Sequence, residues 1–245
     1  MIYPLLWLVA SSFKSNDTMF KNTYSLFAST AGYSFGHFFM NSAIVTVIGV
    51  VCTIFFSLLA TYAVSRVKFF GANFWFGCII MTMMIPAQVM VVPQYIILKK
   101  LHLNDTLLAM ILPWAFGGAF FVFLIVQYMR GIPKELDEAA MIDGCSKIGI
   151  LFKILVPVVQ PAIVSAAIFA FYWIWQDFFL PLIFVGSPKN YTIPLALNMY
   201  TDPNSYNNYG GLFAMSVISL LPVILVFIKF QKYLVEGIAT DGIKG

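Results

Sequence analysis

The segment of this chain best suited to chemistry is a short polar stretch that carries acidic, small and turn-forming residues at fixed intervals. Pro133 suits the first position of a helix. Acidic residues, which complement the positive end of a helix dipole, occupy the next turns: Glu135, Asp137 and Glu138. Ala139 and Ala140 then leave a face with little side-chain bulk, and Gly144 permits the chain to turn. The spacing predicts a short helix that another protein can approach closely.

We find no pattern that a nucleotide-binding protein would need, and none inside the apolar stretches that an intramembrane enzyme would need. There is no Gly-x-x-x-x-Gly-Lys-Ser/Thr, the pattern that binds the phosphates of ATP, and neither Ser-x-x-Lys nor His-Glu-x-x-His lies inside an apolar stretch. Cys52, Cys78 and Cys145 have neither metal-ligand spacing nor the spacing of a disulfide framework. His37 and His102 fall in or beside predicted loops. We therefore expect no catalytic residue, no metal site and no cofactor in this chain.

Polar side chains within or beside the apolar stretches are candidates for a solute path. Amide, carboxylate and aromatic side chains hold polar solutes, and the candidates of these types are Gln88, Gln127, Tyr172, Gln176 and Asp177. The aromatic residues around Tyr172 are also typical of an interfacial belt. Asp177 could instead cap the end of its apolar stretch. Pro86 and Pro93 predict a kink in the stretch that contains Gln88.

The elements that position these residues must cross a lipid bilayer. With 61% apolar and 10% charged residues among 245, the chain has too little polar surface for a soluble globule. Charge-free stretches that reach the roughly 20 residues of a spanning helix are residues 41–64, 72–98, 106–129, 154–176 and 209–228. Their pattern is not that of a β-barrel strand, and an open sheet leaves unpaired backbone groups in lipid. We predict an all-α integral membrane protein of one domain, residues 1–245, with six transmembrane helices.

The sixth of these helices involves the uncharged residues 1–13, which are too few to span a bilayer alone. We interpret them as the second half of a first helix whose beginning is missing. The alternative is the apolar region of a signal peptide, although no basic segment precedes it and no small-residue cleavage site clearly follows.

The distribution of positive charge predicts the orientation. Nine of the 14 Lys and Arg residues fall on one side if the loop of residues 130–153 is cytoplasmic: Arg66, Lys68, Arg130, Lys134, Lys147, Lys153, Lys229, Lys232 and Lys244. The other side has Lys14, Lys21, Lys99, Lys100 and Lys189. The positive-inside rule therefore places this loop and both termini in the cytoplasm. No basic cluster interleaves with aromatic residues on a polar segment, so we expect no nucleic-acid partner.

The loop of residues 130–153 resembles the "EAA" loop of ABC-importer permeases. In that pattern Glu-Ala-Ala is followed after three residues by Gly, and after nine more by Ile-x-Leu-Pro. This chain matches at Glu138, Ala139, Ala140, Gly144, Ile154 and Pro157, with Val156 in place of Leu. The resemblance covers nearly the whole chain and is strongest to the maltose-type sugar permeases, whose C-terminal tail is similar to residues 230–237 and 242–245.

The resemblance implies a permease subunit of the bacterial inner membrane, with a cytoplasmic coupling helix between the fourth and fifth spans. It implies a second homologous permease, two ATPase subunits that bind ATP and Mg²⁺, and an extracytoplasmic solute-binding protein that docks on the outer loop of residues 186–208. The expected cargo is a sugar or an oligosaccharide. Alternatives are an ABC importer for another small polar solute and, less in keeping with the sequence, a secondary transporter.

Overall fold

The computed structural model of the chain describes Val9, residues 33–199 and the backbone of residues 209–239, with the side chains of residues 211–233. These residues fold almost entirely into helices, which confirms the all-α prediction. In chain order the helices are α1 (Phe35–Arg66), α2 (Ala72–Thr82), α3 (Ala87–Lys100), α4 (Leu107–Ala115), α5 (Ala119–Arg130), α6 (Glu135–Ile142), α7 (Lys147–Val158), α8 (Gln160–Trp175), α9 (Phe179–Phe184), α10 (Ile193–Met199) and α11 (Tyr209–Ala239). The predicted helix of residues 1–13 lies outside the described residues, apart from Val9.

Helices long and apolar enough to cross a membrane account for most of the described chain. Three segments qualify without a sharp bend. They are α1, the continuous segment Leu107–Arg130 formed by α4 and α5, and Gly211–Tyr233 within α11. Two further pairs qualify only as bent spans, α2 with α3 and α7 with α8. The described residues thus contain between three and five spans, and the count of six stays a prediction.

Both bent pairs break where proline interrupts the backbone hydrogen bonds. The axes of α2 and α3 form an angle of 98°. The break lies between Thr82 and Ala87, where Pro86 restricts the backbone of Ile85. Pro93 lies inside α3 and does not end it, so the predicted kink comes from one proline and not from both. Helices α7 and α8 meet at 80°. Pro161, in the first turn of α8, has no amide to donate to the carbonyl of Pro157, so residues 154–176 are not one straight helix.

The chain divides into two compact units, each assembled from separate stretches of sequence. The first unit comprises Met1–Thr46, Tyr95–Ile111 and Trp173–Ile228, and the second comprises Val47–Gln94, Leu112–Tyr172 and Lys229–Gly245. The predicted coupling loop therefore belongs to the second unit. The predicted outer loop of residues 186–208 falls within the first.

Small polar residues on α1 allow close helix packing in the second unit. Thr53, Ser57 and Thr61 lie one turn apart, and all three are buried. Thr53 donates to the carbonyl of Trp114 at 2.7 Å, and between α4 and α5 the backbone at Gly117 lies against Ser57. Such small residues let helix backbones approach in a membrane, where their hydroxyl groups also find partners across the contact.

In the first unit the end of α8 packs into the protein. Trp175 is only 7% exposed, its ring lies edge-on to Phe39 at 5.5 Å, and its indole N–H donates to the carbonyl of Ser219 at 3.1 Å. An aromatic residue with this environment anchors helices to one another. Trp175 therefore does not belong to an interfacial belt.

Candidate functional site

A short helix, α6, lies in the segment predicted to couple the chain to an ATPase, and it begins two residues after Pro133. It begins at Glu135, follows Lys134, and its first turn is acidic as expected. At its end the amide of Gly144 donates to the carbonyl of Met141, and that of Cys145 donates to the carbonyl of Ala140. This pair of hydrogen bonds defines a Schellman motif, which requires a left-handed residue. Gly144 supplies it with a φ of 79°.

The outer face of α6 is open for a partner. Glu138 and Ala139 are exposed, whereas Ala140 is buried against the protein. Large apolar side chains are exposed on and beside the same helix: Leu136, Met141, Ile142, Ile148 and Phe152. Ile142 is 86% exposed. An apolar patch in a segment with so many charges is typical of a protein contact surface.

A buried arginine at the end of α1 attaches α6 to the rest of the second unit. Arg66 donates to the carboxylate of Asp137 at 3.2 Å and to the carbonyls of Met129 and Ile132 at 2.6 and 2.9 Å. The two side chains of the ion pair are 3% and 14% exposed. Arg66 therefore caps the last carbonyls of α5 and holds the first turn of α6. We call this group, Arg66 with Asp137 and the two carbonyls, the arginine clamp.

The remaining residues of the predicted coupling motif lie in α7. Residues Ile150–Leu155 form a π-helical segment, and Ile154 is half-buried within it. Pro157 is exposed and lies just before the bend into α8. Ser146 caps the start of α7 by accepting from the amide of Gly149. Residues 147–153, which the sequence placed in a loop, are thus part of the helix α7.

Three of the candidate solute-path residues lie in the second unit. Gln88 is in α3, Gln127 in α5 and Tyr172 in α8, and all three are exposed. Within the described part of this unit, no hydrogen bond or ring contact joins one of them to another. Their role in a solute path stays a prediction.

The other two candidates follow α8 in the first unit. Gln176 is exposed. The carboxylate of Asp177 accepts from the amides of Phe179 and Leu180 at 3.0 and 3.2 Å. Asp177 therefore caps the start of α9, and its role in a solute path stays a prediction. A side chain occupied in this way has less capacity to bind a solute.

The sequence did not single out the polar contacts that hold the described part of the outer loop. Asp105 has a left-handed backbone with a φ of 57°, and its carboxylate accepts from the amides of Gly186 and Ser187 at 3.1 and 2.8 Å, from the Ser187 hydroxyl and from the Asn190 amide. Asn41 donates to the carbonyls of Lys189 and Tyr191. The signal available in the sequence was that Asp105 and Asn41 are polar residues at the ends of predicted apolar stretches.

These contacts determine the charge state of Asp105. Burial alone would raise the pKa of its carboxyl group, but the hydrogen bonds from Ser187, Asn190 and Gly186 outweigh burial and lower the pKa below its ordinary value. Asp105 is therefore ionised in the folded state at neutral pH. Residues 200–208 of the outer loop lie outside the described residues.

Comparison with known proteins gives concordant matches. The family model described as the inner membrane component of binding-protein-dependent transport systems matches residues 53–240. The chain is 38% identical, over 99% of its length, to the probable ABC transporter permease protein YurM of Bacillus subtilis, of which it covers 84%. It is 34% identical, over 100% of its length, to the arabinooligosaccharides transport system permease protein AraQ of Halalkalibacterium halodurans, of which it covers 91%.

Among solved structures, the fold matches a chain of a bacterial ABC transporter involved in the import of the acidic polysaccharide alginate. The TM-score is 0.81 at 22% identity, over 95% of this chain and 90% of that one. The fold, the family match and the identity over the full length agree. The chain belongs to the family of inner membrane components of binding-protein-dependent transport systems.

Proposed function

We propose that this chain is one permease subunit of an ATP-driven importer for sugars or oligosaccharides. The family supports an importer served by a binding protein over a secondary transporter. Relatives named for arabinooligosaccharide transport support a carbohydrate over another small polar solute. Hydrolysis of ATP belongs to a separate subunit, since this chain has no Walker-type sequence.

The observation that carries this proposal is the combination of an exposed face on α6 with the arginine clamp beneath it. An ATPase that binds this face differently with and without nucleotide can move α6 as a rigid body. Because Arg66 connects α6 to the ends of α1 and α5, the movement passes to helices of spanning length. Shifting the ratio of two permease conformations from 1:99 to 99:1 needs about 5.5 kcal/mol of differential binding, which the ATPase must supply.

The same proposal includes the other subunits that a complete importer needs. Half of a path fits in one permease, so a second homologous permease completes it. The candidate lining residues in this chain are Gln88, Gln127, Tyr172, Gln176 and Asp177. Two ATPase subunits bind the coupling helices on the cytoplasmic side, where the N- and C-termini also lie. A solute-binding protein docks from outside on residues 186–208, of which the described part is held by Asp105 and Asn41.

The decisive test is uptake by the whole importer in proteoliposomes. The chain is co-reconstituted with its second permease, the ATPase and the binding protein. Uptake of labelled oligosaccharides is measured with ATP inside, and separately with a proton or sodium gradient and no ATP. We expect accumulation only with ATP and binding protein. Gradient-driven uptake by this chain without ATP would contradict the proposal.

A matched pair of variants tests the coupling face in the same preparation. Ile142→Ser removes an exposed apolar group from α6, and Ile97→Ser makes the same change on α3, where the side chain is also exposed. We expect the first to weaken retention of the ATPase and to reduce uptake, and the second to leave retention unchanged. Equal retention in both variants would remove α6 from the ATPase contact.

A further inference from the structure

A pocket of about 710 Å³ lies in the second unit, where α1 ends, α2 begins and α5 ends. Its lining includes four basic side chains and no acidic one; the basic residues are Arg66, Lys68, Arg130 and Lys134. Arg66 is already neutralised by Asp137 in the arginine clamp. The other three leave the pocket with a net positive charge, which indicates an anionic ligand.

The three remaining cations are arranged so that they can bind a phosphate group. Lys68 and Lys134 are exposed, and neither forms an ion pair with another described residue. The guanidinium group of Arg130 lies over the ring of Phe76, 4.5 Å from its centroid, which fixes its plane while its N–H groups stay at the edge. Arginine binds phosphate through this edge, and lysine adds compact charge.

Exposed aromatic side chains surround the same pocket. Phe69 and Phe70 line it, and Phe74 and Trp75 follow on α2 with 67% and 56% exposure. Helix α2 has no buried residue at all. Aromatic residues next to lysine are typical of the membrane–water interface. A soluble phosphate does not need an apolar rim, whereas a lipid needs one for its acyl chains.

We propose that this pocket binds the phosphate headgroup of an anionic phospholipid, whose acyl chains lie along the exposed aromatic face of α2. The assignment to the cytoplasmic leaflet rests on the orientation in the proposed function, because anionic lipids and basic pockets meet on that side. The lipid would bridge Lys68, at the start of the turn into α2, and Lys134, next to α6. A lipid bound in this way would stabilise the arginine clamp, because Arg66 also lines the pocket.

The test measures lipid binding to the purified full-length chain in detergent by native mass spectrometry. The probes are dioleoylphosphatidylglycerol, dioleoylphosphatidylcholine and inorganic phosphate. The test variant is Lys68→Gln with Lys134→Gln. The control is Lys99→Gln with Lys100→Gln, which removes the same charge from two exposed lysines at the end of α3. Thermal unfolding of both variants checks that the fold is retained.

We expect the parent chain to bind phosphatidylglycerol more tightly than phosphatidylcholine. Each lysine near the headgroup contributes about a fivefold increase in lipid affinity, so the test variant, which lacks two, should bind phosphatidylglycerol about 30-fold more weakly. Its affinity for phosphatidylcholine and the control variant's affinities should not change. Inorganic phosphate at millimolar concentration should not displace the lipid.

Three results would overturn the proposal. They are equal affinity of the parent chain for both lipids, an equal loss in the control variant, and full displacement by inorganic phosphate, which would identify a site for a soluble anion. A fourth measurement, on the assembled importer, distinguishes a protein contact. If the test variant loses the ATPase or the second permease while its lipid preference is intact, the pocket is a protein interface. None of these readouts depends on transport, so the proposed function can stand if this inference fails.

Discussion

The arginine clamp allows a prediction about how α6 is held. Replacing Arg66 by Met keeps the length of the side chain and removes its charge and donors. The carboxylate of Asp137 then stays 14% exposed with no cation beside it, because its Oδ2 atom bonds to Arg66 and its Oδ1 atom has no side-chain partner among the described residues. The carbonyls of Met129 and Ile132 lose the Arg66 donor as well, although the Met129 carbonyl still accepts from the amide of Ile132.

The size of the effect follows from this burial. Removing one partner of a buried ion pair costs about 3–5 kcal/mol, because a charge stays uncompensated in a poorly solvated site. Asp137→Asn should cost less, about 1–3 kcal/mol, since Arg66 keeps its two carbonyl acceptors. The double variant should cost less than the sum of the two. The cost falls on the attachment of α6, and the transmembrane helices should stay folded.

Hydrogen exchange measured by mass spectrometry on the purified chain reports this attachment directly. Arg66→Met should speed exchange in residues 131–142 by about 100-fold or more, the rate change that corresponds to about 3 kcal/mol. The matched control is Arg130→Met, which removes an exposed arginine whose guanidinium group lies over the Phe76 ring, at a cost of about 0.5–1 kcal/mol. Equal exchange in both variants, or strictly additive effects in the double variant, would refute the clamp.

Four other predictions concern separate parts of the chain. Gly144→Val should cost about 1–2 kcal/mol at a left-handed position and should reduce ATPase retention during purification while the amount of chain in the membrane stays normal. Gly117→Ala should lower the thermal midpoint far more than Gly77→Ala. A Cβ at position 117 would lie 2.8 Å from the hydroxyl oxygen of Ser57, whereas a Cβ at position 77 would meet no described neighbour within 4 Å. The stability that Asp105 contributes is present above its unfolded pKa of about 3.9 and is lost as pH falls towards its lower folded pKa. The difference in thermal midpoint between the parent chain and Asp105→Asn should therefore be constant from about pH 8 to 5 and should shrink below about pH 4. A cysteine in place of Lys147 should be labelled only from the cytoplasm, and labelling from outside intact cells would contradict the orientation.

Local patterns of the sequence determined much of what is known about this chain. Apolar stretches of spanning length predicted helices in a membrane, and the acidic turn, two alanines and a glycine predicted α6 and the left-handed residue after it. These features depend on periodicity, helix dipoles and backbone sterics, which act over a few residues. The same patterns, read as an importer motif, also predicted the family that the comparisons confirm.

Contacts between distant residues were decided only by the tertiary structure. Arg66 and Asp137 are 71 positions apart, and Asn41 and Lys189 are 148 apart. In the sequence, Arg66 and Asn41 are polar residues at the ends of apolar stretches, whereas Asp137 and Lys189 lie within polar loops. Nothing local specifies which residue each of them contacts. Which partner it meets depends on the directions in which α2, α3, α7 and α8 leave their proline breaks, with bends of 98° and 80°. A proline predicts that a helix is interrupted, but the angle after the break depends on packing against neighbouring helices.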